Sequence, residues 1–228
     1  MRLKATDYVL KGEADNWFQR NQNNKGHNIF TEYLLNIFDK KDLKKFNIAE
    51  FGIGHSYNIS LLSHYVKNVD GYDGSRLAIS RLNNMRKIFY NIDGKQVIFG
   101  NEFQVLKKYD LIIFGFFTYM LDNNELKKII DDSYKFLNEG GYLYIYDFLH
   151  KENISKKDIH NKNFYIYKRN FSFYLEKFQN FNLVDFRLMD NKYLEQYMKI
   201  GKLTIDHRVS DENDWVFSAL FKKDKYDE

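Results

Sequence analysis

The sequence predicts an α/β fold: an open, doubly wound and mostly parallel sheet with helices on both faces. Three observations carry this. Short apolar runs alternate with helical patterns along most of the chain. A glycine pair, Gly52 and Gly54, falls where the first such run passes into a helical pattern. An acid, Asp73, ends the second run. The length suits one domain with a real core, spanning residues 1–228.

The elements follow in order. Residues 29–38, IFTEYLLNIF, have helical apolar spacing. NIAEFGI (47–53) reads as a buried strand, and SYNISLLSHYV (56–66) as a helix with Ser56 as its cap. NVDGYDGS (68–75) is a short strand and turn, and 76–90 an amphipathic helix. QVIFG (96–100) is the expected third strand and YDLIIFGFF (109–117) the fourth. Residues 123–141 form a helix closed by glycine, followed by the strand YLYIYDF (142–148). FNLVDFRLMD (181–190) and DWVFSALFKK (214–223) read as two further strands.

Composition narrows the function. Aromatic content is 18%, which belongs to a folded globule. There is no cysteine, so a thiol nucleophile and a thiolate zinc site are excluded. The six histidines are scattered without ligand spacing, so no metal site is expected. Net charge is only +4, too weak to demand a polyanionic partner. No apolar run is long enough to span a bilayer, and residues 1–21 lack the apolar centre of a signal peptide. A soluble, cytoplasmic protein without a membrane partner is the expectation.

In open α/β sheets, ligands bind beyond the carboxyl ends of the strands. Gly52 and Gly54 stand at such an end, where a missing Cβ permits a tight turn and close approach of a ligand. Asp73 lies about 20 residues further on, suited to accept hydrogen bonds from both ribose hydroxyls, with Gly74 behind it. A dinucleotide fingerprint needs glycine at position 57, where Tyr57 stands, and there is no G-K-S/T for a phosphate loop. The pattern therefore suits a nucleoside without phosphate. Glu50, an acid within the turn, disfavours a polyanion and suits a ligand bearing an ammonium group.

EFGIGHSYN followed by GYDGSRLAI resembles the class I S-adenosylmethionine-dependent methyltransferases, whose first motif is E/D-x-G-x-G-x-G and whose second strand ends in an acid. The resemblance covers residues 47–148 and, more loosely, the last strands; Ser56 replaces the third glycine. GHSYNISLL, with Asn58, and DNWFQRN (15–21) look most like bacterial small-molecule methylases of sugar and surface-glycan pathways. The resemblance implies a Rossmann-like, seven-stranded sheet with an antiparallel closing strand, and S-adenosylmethionine as cofactor. Gly52 and Gly54 would back its methionine part beside Glu50, and Asp73 would hold the ribose. Asn101 or Glu102 stands where such enzymes contact the adenine amino group, usually with Asp. Phe116 or Phe117 would line the pocket or pack the core.

Methyl transfer is an in-line displacement, so the enzyme chiefly holds donor and nucleophile in line. A hydroxyl acceptor is helped by a base. Tyr119, Asp147 and His150 lie near strand ends, and His207 is a further candidate. Histidine titrates near neutral pH, which suits a base; the alternative for His150 is a surface residue beside Lys151. The N-terminal residues 1–46 would form a helical lid, with Trp17 excluding water and Arg20 pairing with the cofactor carboxylate, or would simply pack on the domain. Residues 153–174 are expected to shape the acceptor site. They interleave Lys156, Lys157, Lys162, Lys168 and Arg169 with Phe164, Tyr165, Tyr167 and Phe171, either as a clamp for phosphate, sugar or base or as a solvated basic face.

The leading expectation is methyl transfer to a small-molecule acceptor, at oxygen before nitrogen, on a sugar, sugar nucleotide or related precursor. A nucleic-acid methyltransferase is the second reading. The amino-directed type carries N/D-P-P-Y/F/W after the fourth strand, and a chain with no proline cannot have it. A non-catalytic cofactor-binding protein is the third.

Overall fold

A computed structural model describes residues 4–22, 29–99, 105, 107–189 and 214–224. Four helices precede the sheet: α1 (Ala5–Leu10), α2 (Glu13–Arg20), α3 (Ile29–Ile37) and α4 (Lys40–Leu43). Then follow β1 (Asn47–Phe51), α5 (Tyr57–Leu62), β2 (Asn68–Asp73), α6 (Arg76–Met85), β3 (Ile92–Gln96) and β4 (Tyr109–Gly115). A single 3-10 turn, Thr118–Met120, leads to α7 (Asn123–Phe136) and β5 (Leu137–His150). A hairpin of β6 (Ile154–Lys157) and β7 (Tyr165–Lys168) precedes α8 (Phe171–Lys177), β8 (Phe181–Met189) and β9 (Asp214–Lys223).

Seven strands form one sheet in the order β3-β2-β1-β4-β5-β9-β8. β1 to β5 pair in parallel, and β9 runs antiparallel to both β5 and β8. The strand order reverses between β1 and β4, so their carboxyl ends open a crevice there. Successive residues face opposite layers. Ile48 packs with Phe30, Leu34, Ile59 and Leu62, while Ala49 and Phe51 pack with Leu126, Ile130 and Tyr174. Both faces are covered, which explains why β1 and β4 read as nearly continuous apolar runs.

Three elements differ from expectation. The third strand is Ile92–Gln96 rather than 96–100. It is the polar edge strand IDGKQ, half exposed, so its apolar signal lies in Val97 and Phe99 just beyond it. α7 ends at Phe136, before the glycines. Its last turn is closed by Lys223 of β9, which donates to the carbonyls of Tyr134 (3.1 Å) and Leu137 (3.3 Å). β5 therefore begins at Leu137, with its register to β4 shifting between Tyr109 and Leu111, and is longer than 142–148. Ser56 precedes α5 but does not cap it through its side chain.

Among the described residues, no helix is long and apolar enough to cross a membrane.

Candidate active site

The turn after β1 is tightly wound. Gly52 (φ 77°), Gly54 (φ 49°) and Ser56 (φ 61°) all take the left-handed region. Ser56 thus adopts the backbone of a third glycine while keeping its side chain. A Cβ at Gly52 would stand 2.7 Å from the Phe117 ring, and one at Gly54 3.2 Å from Trp17. So Phe117, not Phe116, is the ring that closes on the glycines. Asp73 ties this turn to the next strand end: its carboxylate accepts from Gly54 N (3.0 Å) and Ser75 N (2.7 Å). Burial pushes its pKa up to about 6 despite these bonds.

Glu50 points under the same turn and is buried. Asn58 Nδ2 donates to Glu50 Oε1 (2.6 Å) and to the Tyr146 hydroxyl (2.5 Å). Burial, with Asp73 nearby, pushes the Glu50 pKa up to about 8, against the Asn58 hydrogen bond. Six buried polar atoms without a partner gather here: Trp17 Nε1, Glu50 Oε2, His55 Nδ1 and Nε2, Ser56 Oγ and Asn58 Oδ1. Buried polar atoms are nearly always paired, so such a group has capacity for water or a polar ligand.

The N-terminal helices lie across these strand ends. Asp15 of α2 accepts from Ser75 Oγ (2.6 Å) and Leu77 N (3.2 Å) at the start of α6, with Arg76 at 3.6 Å. Burial opposes its ionisation, but the bonds from Ser75 and Leu77 and the Arg76 charge hold its pKa below the usual carboxylate range. Val9 of α1 fills the space before Gly74, where a Cβ would meet it at 2.4 Å, so Gly74 serves helix packing and not ligand approach. Trp17 lies over Gly54. Arg20 does not turn inward: it pairs with Glu13 of its own helix at 2.6 Å. α3 is no part of a lid, since Phe30 and Leu34 are fully buried in the core.

On the other side of the crevice, Phe116 (φ 47°) holds a left-handed conformation that costs a non-glycine residue about 1–2 kcal/mol. Its ring meets Tyr146 at 5.4 Å and Phe148 at 5.0 Å. Tyr119 is buried, with its ring edge-on to Phe148 at 5.2 Å. Tyr8 of α1 reaches across to Phe164, in the loop between β6 and β7, at 4.5 Å. The first helix and the 153–174 segment thereby meet beyond β4 and β5. Sequence reasoning missed Tyr8, Asp15 and Tyr146, because each acts through a partner distant in the chain.

Two expected catalytic residues are otherwise engaged. Asp147 is fully buried and accepts from Thr118 Oγ1 (2.6 Å), Tyr119 N (3.0 Å) and Phe148 N (2.8 Å). Burial raises its pKa to about 6. It fastens the turn after β4, with both oxygens bonded within the fold. His150 Nδ1 meets both the Glu152 carbonyl (2.9 Å) and the Glu152 N–H (3.0 Å), donating to the first in one tautomer and accepting from the second in the other. Lys168 forms a buried ion pair with Asp214, and Arg169 donates to the carbonyls of Thr118 (3.0 Å) and Leu121 (2.5 Å). Neither belongs to a phosphate clamp or a solvated face, whereas Lys156, Lys157 and Lys162 are exposed. Asn101, Glu102 and His207 lie outside the described residues. Among the described residues, no group of three His, Asp or Glu side chains is arranged to hold a metal.

No family model and no curated protein matches the chain. Solved structures do. A SAM-dependent methyltransferase from Methanosarcina mazei is 14% identical, with a TM-score of 0.64 over 85% of this chain and 97% of that one. The N-methyltransferase NodS of Bradyrhizobium japonicum WM9, in complex with S-adenosyl-L-homocysteine, is 16% identical, with a TM-score of 0.60 over 97% and 99%. The fold is that of the class I methyltransferases. The [4+2]-cyclase SpnF is also similar, with a TM-score of 0.69, 10% identity and 99% and 98% of the two chains covered. The methyltransferase fold thus also occurs in a protein named for a different reaction, and function has to be argued from the site.

Proposed function

We propose that this chain is an S-adenosylmethionine-dependent methyltransferase acting on a small-molecule acceptor. The observation that carries the reading is the pair of unpartnered acceptors, Glu50 Oε2 and Asn58 Oδ1, beneath a glycine turn that Asp73 joins to the end of β2. These groups fit the cofactor. Glu50 and Asn58 accept from the ammonium, Asp73 accepts from the ribose hydroxyls, and the turn allows close approach to the backbone. Bound there, S-adenosylmethionine supplies an electrophilic methyl group on a sulfonium sulfur. Trp17 and Phe117 shield the turn from water, and α1 and α2 act as the lid. Tyr8, Tyr119, Phe148 and Phe164 wall the acceptor side.

The finer reading is transfer to a hydroxyl of a sugar or surface-glycan precursor, supported by the sequence resemblance, with Tyr119 facing the acceptor. A second reading, transfer to nitrogen, is favoured by the burial of Asp147 among three donors. A neutral amine attacks without a base, whereas a hydroxyl needs one. The chain has no proline and so lacks the motif of the amino-directed nucleic-acid methyltransferases, which counts against that acceptor.

The test is incubation with methyl-labelled cofactor and three pools: sugars and sugar nucleotides, amines, and RNA. Label in one small-molecule pool supports the reading and selects oxygen or nitrogen. Label in RNA alone, or in no pool, contradicts it.

A further inference from the structure

Gly115 and Tyr146 are paired across β4 and β5, at the carboxyl edge of the sheet. A Cβ at Gly115 would stand 2.1 Å from the Tyr146 hydroxyl oxygen and 2.3 Å from the ring carbon bearing it. No side chain fits there while the tyrosine keeps its place. The gap lets the hydroxyl pass over β4 towards β1, where it receives a hydrogen bond from Asn58 at 2.5 Å. The ring is held on both sides: it stacks on Phe30 at 4.6 Å with an interplanar angle of 3°, and Phe116 meets it edge-on at 5.4 Å. Tyr146 and Phe30 are both buried, so this hydroxyl is a rigid fixture of the core.

We infer that Tyr146, admitted by Gly115, is a positioning residue that fixes the Asn58 amide so that Asn58 and Glu50 together select a primary ammonium. An asparagine amide has two N–H donors and one carbonyl acceptor. Glu50 Oε1 takes one N–H at 2.6 Å and Tyr146 takes the other at 2.5 Å. With both donors spent, the carbonyl oxygen has only one direction left, and it is buried and unpartnered there, as is Glu50 Oε2. Once an ammonium ionises Glu50, this pair of side chains offers it two acceptors and no donor. A flipped amide would present N–H groups and repel a cation; ionised Glu50, which can only accept, disfavours that flip, and the fixed hydroxyl holds the amide in place against Glu50. Without the hydroxyl, one amide proton loses its acceptor and the amide is free to turn away from Glu50. Glu50 supplies the charge, and Tyr146 supplies the second anchor of its neutral companion. The inference rests on the proposed cofactor reading and adds the group that makes the methionine end selective.

The experiment compares two ligands by calorimetry: S-adenosylhomocysteine and its deaminated analogue, in which hydrogen replaces the amino group. They are titrated into wild-type protein, Tyr146→Phe and Gly115→Ala. Tyr146→Phe keeps the ring and its stack on Phe30, and thermal melts confirm that each variant is folded. Gly115→Ala attacks the same hydroxyl from the other side. The wild type is expected to prefer S-adenosylhomocysteine by about 30-fold or more, the scale of a lost charged hydrogen-bonding group. In Tyr146→Phe the preference should fall at least fivefold, while affinity for the deaminated analogue stays within about threefold. Gly115→Ala should move in the same direction. A purely structural role would weaken both ligands alike, and that result, or an unchanged preference, overturns the inference while leaving the cofactor reading intact. Failure of the folded wild type to bind either ligand overturns the cofactor reading, and this inference with it.

Discussion

Glu50 is an acid placed where water is excluded, and its cost and its use have opposite signs. Its pKa is about 8 in the fold against an ordinary 4.5, so the folded chain holds a proton that the unfolded chain releases. Stability from this residue is therefore present below about pH 4.5 and declines as pH rises towards 8. Glu50→Gln should flatten that decline and raise stability at pH 7 by about 1–3 kcal/mol. The same change should weaken S-adenosylhomocysteine binding tenfold or more. Melting curves from pH 5 to 8 check the first half, and a binding titration checks the second. A variant with the wild-type pH slope would mean that Glu50 is not buried as an acid. Ser56 gives a second residue-scale prediction. Its left-handed backbone costs about 1–2 kcal/mol, and its buried hydroxyl has no partner. Ser56→Gly removes both costs while adding unfolded-state entropy of about 0.5–1 kcal/mol. The melting temperature should hold or rise. A clear fall would show that the hydroxyl has a partner.

What the sequence reveals at this scale follows from how far each residue's chemistry reaches. The places of Gly52, Gly54, Glu50 and Asp73 are legible because they follow from adjacency along the chain to a strand end. Asp147 and Arg20 are not legible in this way, because their hydrogen bonds are taken up by Thr118 and Glu13, and no spacing rule announces a partner already satisfied.

At the scale of elements, the clasp between α2 and α6 decides whether the proposed lid stays down. Asp15 ends two hydrogen bonds and one ion pair on the first turn of α6, where the helix dipole also favours an anion. Val9 against Gly74 and Trp17 against Gly54 are the apolar contacts on either side of it. Asp15→Ala should cost about 1 kcal/mol, the scale of a lost helix cap. It should also speed tryptic cleavage after Lys11 or Arg20, and added S-adenosylhomocysteine should slow that cleavage. Equal cleavage of variant and wild type would remove Asp15 from the clasp. The element boundaries that the sequence misplaces have one cause. β3 is a polar edge strand, and α7 is capped by Lys223, which lies 87 positions beyond its last residue, Phe136. Apolar patterning finds buried strands well and records neither edge position nor a distant cap.

At the scale of the molecule, the topology places four independent features at one crevice: the glycine turn, Asp73, the 3-10 turn after β4, and the extended end of β5. The alternation of strands and helices makes that arrangement readable from sequence, because parallel pairing and the strand reversal follow from it. The acceptor wall is not readable in the same way, since Tyr8, Tyr119 and Phe164 come from three separate segments. The central claim is that the crevice binds the methyl-donor cofactor through the acids at the ends of β1 and β2. Calorimetric titration of S-adenosylhomocysteine into wild-type protein and Asp73→Ala tests it most directly. The account predicts one site per chain in the wild type and a loss of about 1.5–3 kcal/mol in the variant, as for removing a charged acceptor. A folded wild type that takes up no ligand, or a folded Asp73→Ala that binds equally well, would contradict it.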